Sequence, residues 1–118
     1  MIITTQALKK AILAALADED MTKILNAVMV ISKSVNSIMR EQNIPYTTAY
    51  RKTKWLLKQG LLVVDRIEIT PDGKKSSLVH ATLQSIAVKY EQDGMIIVEA
   101  EENLNALKKV MKKFLSME

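Results

Sequence analysis

The chain has 118 residues, of which 48% are hydrophobic and 4% aromatic, enough for one compact domain with its own core rather than two marginal ones. The absence of cysteine excludes disulfides, thiolate metal sites and cysteine nucleophiles, and a single histidine, His80, leaves no histidine-rich ligand set. The formal net charge of +4 is a mild tilt toward anionic partners, and its distribution is uneven: residues 44–60 hold Arg51, Lys52, Lys54 and Lys58 with no acid, whereas residues 86–103 hold Glu91, Asp93, Glu99, Glu101 and Glu102 against Lys89 alone.

Residues 5–17 read as a first helix, with Ala7, Leu8, Ala11, Ile12, Ala15 and Leu16 on one side. Asp18, Glu19 and Asp20 suit the start of a second helix, about 20–31, because carboxylates favour the positive end of a helix dipole. Its inner stripe is Met21, Ile24, Leu25, Val28 and Met29. Ser34 is placed to cap a third, short helix over 35–42, with Val35, Ile38 and Met39 inward. Asn43 follows, one of the few residues besides glycine that accepts positive φ, so it can end one helix and turn sharply into the next. Ile44 plugs the angle between the two, and Pro45 fits the first turn of a fourth helix, about 46–59. Ala49, Thr53, Leu56 and Leu57 seat that helix and Gly60 ends it.

The period then changes. Extended runs at 61–69 and 76–84 flank Pro71-Asp72-Gly73, which predicts a β-hairpin with Lys74 and Lys75 at or near its tip. A further extended pair, 85–91 and 95–100, flanks Gln92-Asp93-Gly94 and is either a second hairpin or a continuation of the first. The tail, 102–117, has helical periodicity with Leu104, Leu107, Met111, Phe114 and Leu115 at spacings of three, four and three, a narrow seam with lysines around it. The expected fold class is α+β, mainly α, in a single domain. No apolar run approaches the ~20 residues needed to span a bilayer. MIITTQALKK lacks the order of a secretion signal, so a cytoplasmic location is expected.

The segment SVNSIMREQNIPYTTAYRKTKWLLKQGLL resembles the helix-turn-helix core of the arsenic-repressor-like and multiple-antibiotic-resistance-repressor-like winged-helix regulators. The matching positions are Val35, Asn43, Ile44, Thr48, Ala49, Leu56 and Gly60-Leu61, and the match covers about residues 34–80. Met39 departs from the usual Ala, Thr53 from the usual Leu and Gln42 from a common Leu, which implies an altered helix crossing. The metal ligands of the metal-sensing members are absent, so neither a metal nor another cofactor is expected.

The resemblance implies a winged helix-turn-helix with a β-hairpin wing, binding double-stranded DNA as a transcription regulator. Seating the fourth helix on Ala49, Thr53 and Leu56 turns Tyr46, Thr47, Tyr50, Arg51 and Lys54 outward. In such proteins that face enters the major groove. Arg51 has the planar fork that reads guanine O6 and N7 together. Tyr46, Thr47 and Thr48 stand at the helix N-terminus, where hydroxyls and free N–H groups suit phosphate oxygens. Lys52, Lys54 and Lys58 are assigned to the phosphate backbone, and Lys74 and Lys75 to the flanking backbone or minor groove. Trp55 is read as packing against the wing or the first helix, and His80 as structural. The terminal seam (Leu104, Leu107, Met111, Phe114, Leu115) either pairs with its own copy in a homodimer or folds back over the first helix. The rival function is a winged-helix module that binds protein in a transcription or replication assembly. No glycine-rich phosphate loop and no acid–histidine constellation points to an enzyme.

Overall fold

The computed structural model describes residues 1–105, and within them the chain is a helix-rich α+β fold of four helices followed by two antiparallel hairpins. The helices are α1 (Gln6–Leu16), α2 (Glu19–Ala27), α3 (Val35–Gln42) and α4 (Tyr46–Lys58). The strands are β1 (Leu62–Ile69), β2 (Lys75–Ala81), β3 (Leu83–Tyr90) and β4 (Ile96–Glu102).

Local chemistry sets most of these boundaries. Asp18 caps α2 by accepting from the Met21 N–H at 2.9 Å, and Ser34 caps α3 by accepting from the Ser37 N–H at 3.2 Å. Asn43 is left-handed at φ 54°, the sole residue besides glycine with positive φ among those described, and it turns α3 into α4. Pro45 stands at the N-cap of α4 rather than in its first turn, and its carbonyl accepts from the Ala49 N–H at 2.9 Å. At the other end Gly60 takes φ 80°. The Leu61 N–H reaches the Leu56 carbonyl and the Gly60 N–H the Leu57 carbonyl, closing the helix with a Schellman pair of bonds.

The second helix is shorter than the expected 20–31. It ends at Ala27, and Val28 leaves helical geometry at φ −117°. The β-branched run Val28, Val30, Ile31 favours extended backbone, and Lys33 then exchanges both backbone hydrogen bonds with Val79, adding a one-residue bridge on the outer side of β2. Val28 is nevertheless fully buried, as the stripe required, while Val30 and Ile31 are exposed.

The open question about residues 85–100 resolves as a separate hairpin. The extended run expected over 76–84 breaks at Thr82, which lies between the two sheets. Its N–H goes to the Leu61 carbonyl, its hydroxyl donates to the Gly60 carbonyl at 2.8 Å, and its own carbonyl accepts from the Asn103 N–H. β1 pairs with β2 (Leu62 opposite Ala81, Ile69 opposite Lys75) with a bulge at Asp65, and β3 pairs with β4 (Ile86 opposite Ala100, Tyr90 opposite Ile96). The N-terminal residues extend the second sheet, Ile3 donating to Val98 and Ala100 to Met1.

The core lies between the helices and the roots of both hairpins. Ile12, Ile24, Val28, Ile38, Ala49, Leu56, Ala81 and Val98 are fully buried there. Four polar residues among those described are buried as well: Ser32, Thr53, His80 and Asn103. His80 donates from Nε2 to the Met29 carbonyl at 3.2 Å, and Asn103 donates through Nδ2 to the same carbonyl at 2.8 Å and to that of Ala81 at 2.9 Å. Asn103 thereby ties the end of β4 to the end of α2 and the end of β2. Beyond the core, Val64, Ile67 and Ile69 project from one face of the first hairpin into solvent. No helix among the described residues is long and apolar enough to cross a membrane. Of the expected terminal seam, Leu104 is exposed, and Leu107, Met111, Phe114 and Leu115 lie outside the described residues.

Candidate nucleic-acid interface

α4 is held by one face and offers the other. Ala49, Thr53 and Leu56 are buried to 1% exposure or less, against a core that α2 and α3 share. With that face fixed, 3.6-residue periodicity turns the opposite side to solvent. Tyr46, Thr47, Tyr50, Arg51, Lys54 and Lys58 are exposed there, and Thr48 is half-buried at the flank. No side chain caps the N-terminus of α4, which leaves the first-turn N–H groups free of side-chain partners at the end of the helix where anions bind best. Arg51, Lys54 and Lys58 form no ion pair with any described residue, and no acid lies on the helix to neutralise them.

Lys52 is a correction. It was expected to follow the phosphate backbone, but its ammonium is turned to the corner between α1 and α2. There it donates to both carboxylate oxygens of Asp18, at 2.7 and 2.9 Å, and to Asp20 at 3.3 Å. The reason is positional: residue 52 lies one turn from both Ala49 and Leu56, on the flank of the buried stripe, and only 14% of its side chain is exposed. The pair couples the N-cap of α2 to the middle of α4. The lysine's hydrogen bonds hold the Asp18 carboxyl below its ordinary 3.8, and the Asp18 contact raises Lys52 above its ordinary 10.5. A lowered acid stabilises the fold above its ordinary value and loses that contribution as pH falls through the lowered one; a raised lysine stabilises below its ordinary value and loses it as pH rises through the raised one. The pair therefore contributes fully from about pH 4 to about pH 10. Lys52→Ala is expected to cost about 1 kcal/mol, and Asp18→Ala, which also removes a cap, about 1–2 kcal/mol. Denaturant midpoints measured at pH 7 and pH 2.5 check this: the gap between wild type and Lys52→Ala should shrink at the lower pH.

The first hairpin supplies the second part of the basic surface. Thr70-Pro71-Asp72-Gly73 forms its tip, closed by the Thr70 N–H to the Lys74 carbonyl at 2.8 Å and by the Gly73 N–H to the Thr70 carbonyl. Lys74 follows the turn and Lys75 opens β2, both exposed as the sequence indicated. Asp72 shares the tip; the Thr70 hydroxyl donates to its carboxylate and lowers its pKa, so the tip carries two cations and one anion.

Sequence reasoning missed a polar cleft between the start of α3 and this hairpin, lined in part by Ser34, Asn36, Ser37, Arg40, Arg66 and Thr70. Arg66 leans on Glu68 at 3.4 Å, with both side chains more than half exposed. Nothing in the linear pattern links Arg40, on a helix, to Arg66, on a strand; only the fold brings them to one cleft. Trp55 is half-buried. Its inner part packs on the core, while its outer part lines a shallow, almost wholly apolar hollow with Tyr50, Arg51, Lys54 and Lys58. Among the described residues no group of three or more His, Asp or Glu side chains is placed to hold a metal ion. No protein-family model matches the chain, and no curated protein matches it either.

Proposed function

We propose that the chain is a sequence-specific, duplex-DNA-binding transcription regulator, built as a winged helix-turn-helix and acting as a homodimer. The observation that carries this reading is the outward face of α4. A helix firmly seated by Ala49, Thr53 and Leu56 presents Arg51, Lys54 and Lys58 with no ion-pair partner among the described residues, beside two tyrosines and an N-terminus without a side-chain cap. A 13-residue helix of this shape fits the major groove, where its N-terminal half reaches base edges. The first hairpin is then the wing. Its tip lysines, Lys74 and Lys75, meet the flanking backbone, and the cleft containing Arg40 and Arg66 faces the phosphates between helix and wing.

In this reading most of the affinity is electrostatic, with specificity supplied by a few α4 side chains. Pairing of two copies through the C-terminal seam, whose first member Leu104 is exposed, would set two α4 helices ~34 Å apart, one DNA turn. Lys54, Lys58, Lys74 and Lys75 together neutralise about four phosphates per copy, so log Kd against log salt should have a slope of magnitude roughly 3–4 per copy from these lysines. Titrating purified protein into a labelled duplex between 50 and 200 mM salt, on the order of the range where such slopes are read, tests it. A flat dependence, or no binding at the low-salt end, contradicts the proposal.

A further inference from the structure

The outward face of α4 carries aromatic rings among its cations, where a purely phosphate-tracking helix would be polar throughout. Tyr46 and Tyr50, one turn apart, stack with ring centroids 6.1 Å apart and planes inclined by 23°, an offset arrangement aromatic pairs prefer. On the following turn the Lys54 ammonium sits 5.9 Å from the centre of the Tyr50 ring. The Tyr50 side chain is thus fixed by a neighbour on each adjoining turn while remaining half exposed. Beside it lies the shallow, almost wholly apolar hollow lined by Tyr50, Arg51, Lys54, Trp55 and Lys58. Three of its five lining residues are therefore cationic, while the lining itself offers almost no hydrogen-bonding group.

We infer that this hollow receives the C5 methyl group of a thymine in the major groove, so that Tyr50 and Trp55 read thymine beside the base that Arg51 contacts. The inference rests on the DNA-binding reading and deepens it. The occupant has to present an apolar group to the lining and belong to a polyanion to suit Arg51, Lys54 and Lys58. In a duplex the thymine methyl is the apolar group displayed on the major-groove base edges. The stack with Tyr46 holds the Tyr50 ring in place before binding, which reduces the ordering cost of the contact. The Tyr50 hydroxyl has no part in it. This separates methyl reading from an alternative in which Tyr50 donates to a phosphate.

The test uses the full chain and a duplex recovered from a random pool, with each thymine replaced in turn by deoxyuridine, which lacks only that methyl. A single replacement at the contacted thymine should weaken wild-type binding about fourfold, the factor for leaving one methyl unburied, and the same replacement in both half-sites about fifteenfold. Tyr50→Phe should keep that discrimination, and Tyr50→Ala should bind thymine and uracil duplexes alike. Equal binding of every uracil duplex by wild type, or a recovered site with no thymine, overturns methyl reading while leaving DNA binding intact. Tyr50→Phe weakening all duplexes equally points to a phosphate contact and also overturns it. Recovery of no duplex at all removes both readings together.

Discussion

Replacing Leu56 with alanine should lower the free energy of unfolding by about 2–5 kcal/mol, because it removes a fully buried branched side chain from a site enclosed on all sides. Leu56 sits where α4 meets the shared core of Ile24, Ile38 and Ala49, and its carbonyl also accepts the Leu61 N–H that closes the helix. A loss of that size is a large share of a small domain's total stability, roughly 5–15 kcal/mol. Urea denaturation measures it as a fall in midpoint at unchanged slope. Lys58→Ala, on the solvent face of the same helix, is the control and should change stability by less than about 0.5 kcal/mol. A cost below about 1 kcal/mol for Leu56→Ala would mean that α4 is not seated as described, and its outward face would lose its meaning.

The second large effect falls on binding. Arg51→Ala should cost about 1–3 kcal/mol on the preferred duplex and much less on others, flattening base preference at one position of each half-site. The guanidinium is exposed on the N-terminal half of α4 and makes no ion pair within the described residues, so truncation removes a contact without unbalancing the fold. Lys58→Ala should weaken all duplexes by a similar factor and reduce the salt slope by about one. Comparing full sequence-preference profiles of the two variants with wild type separates reading from attraction. An Arg51→Ala profile identical to that of wild type assigns base reading elsewhere.

The helical half of the fold was legible in the sequence because each boundary carries its own chemistry. Ser34 caps, Asn43 adopts the left-handed turn, Ala49, Thr53 and Leu56 mark a buried stripe, and Gly60 closes the helix, all within one short stretch. The first hairpin was legible for the same reason, through Pro71-Asp72-Gly73. The features that escaped are those made by residues distant in sequence. Lys33 bridges to Val79, the Ile3 N–H bonds to Val98, and Asn103 clamps Met29 and Ala81, none of which leaves a periodic signature. Thr82 broke an extended run that hydropathy alone presents as continuous.

Within the candidate interface, exposure followed periodicity at Tyr46, Thr47, Tyr50, Arg51, Lys54 and Lys58. Lys52 failed for a reason the sequence did contain. Its position three residues after Ala49 and four before Leu56 places it beside the buried stripe, and the acids Asp18 and Asp20 stand at the one corner its side chain reaches. A lysine counted by charge alone belonged to the basic face; counted by helical angle it belonged to the scaffold. The same ion pair braces α4 against the α1–α2 corner, so a residue removed from the surface helps orient the ones that remain.

The most direct measurement is selection of bound sequences from a random duplex pool with the purified full chain. An inverted repeat whose half-site centres lie about one DNA turn apart, with a guanine and a neighbouring thymine in each half, should be enriched. Recovery of a pool indistinguishable from the starting one, at a salt concentration where the protein binds, would contradict sequence-specific reading by α4.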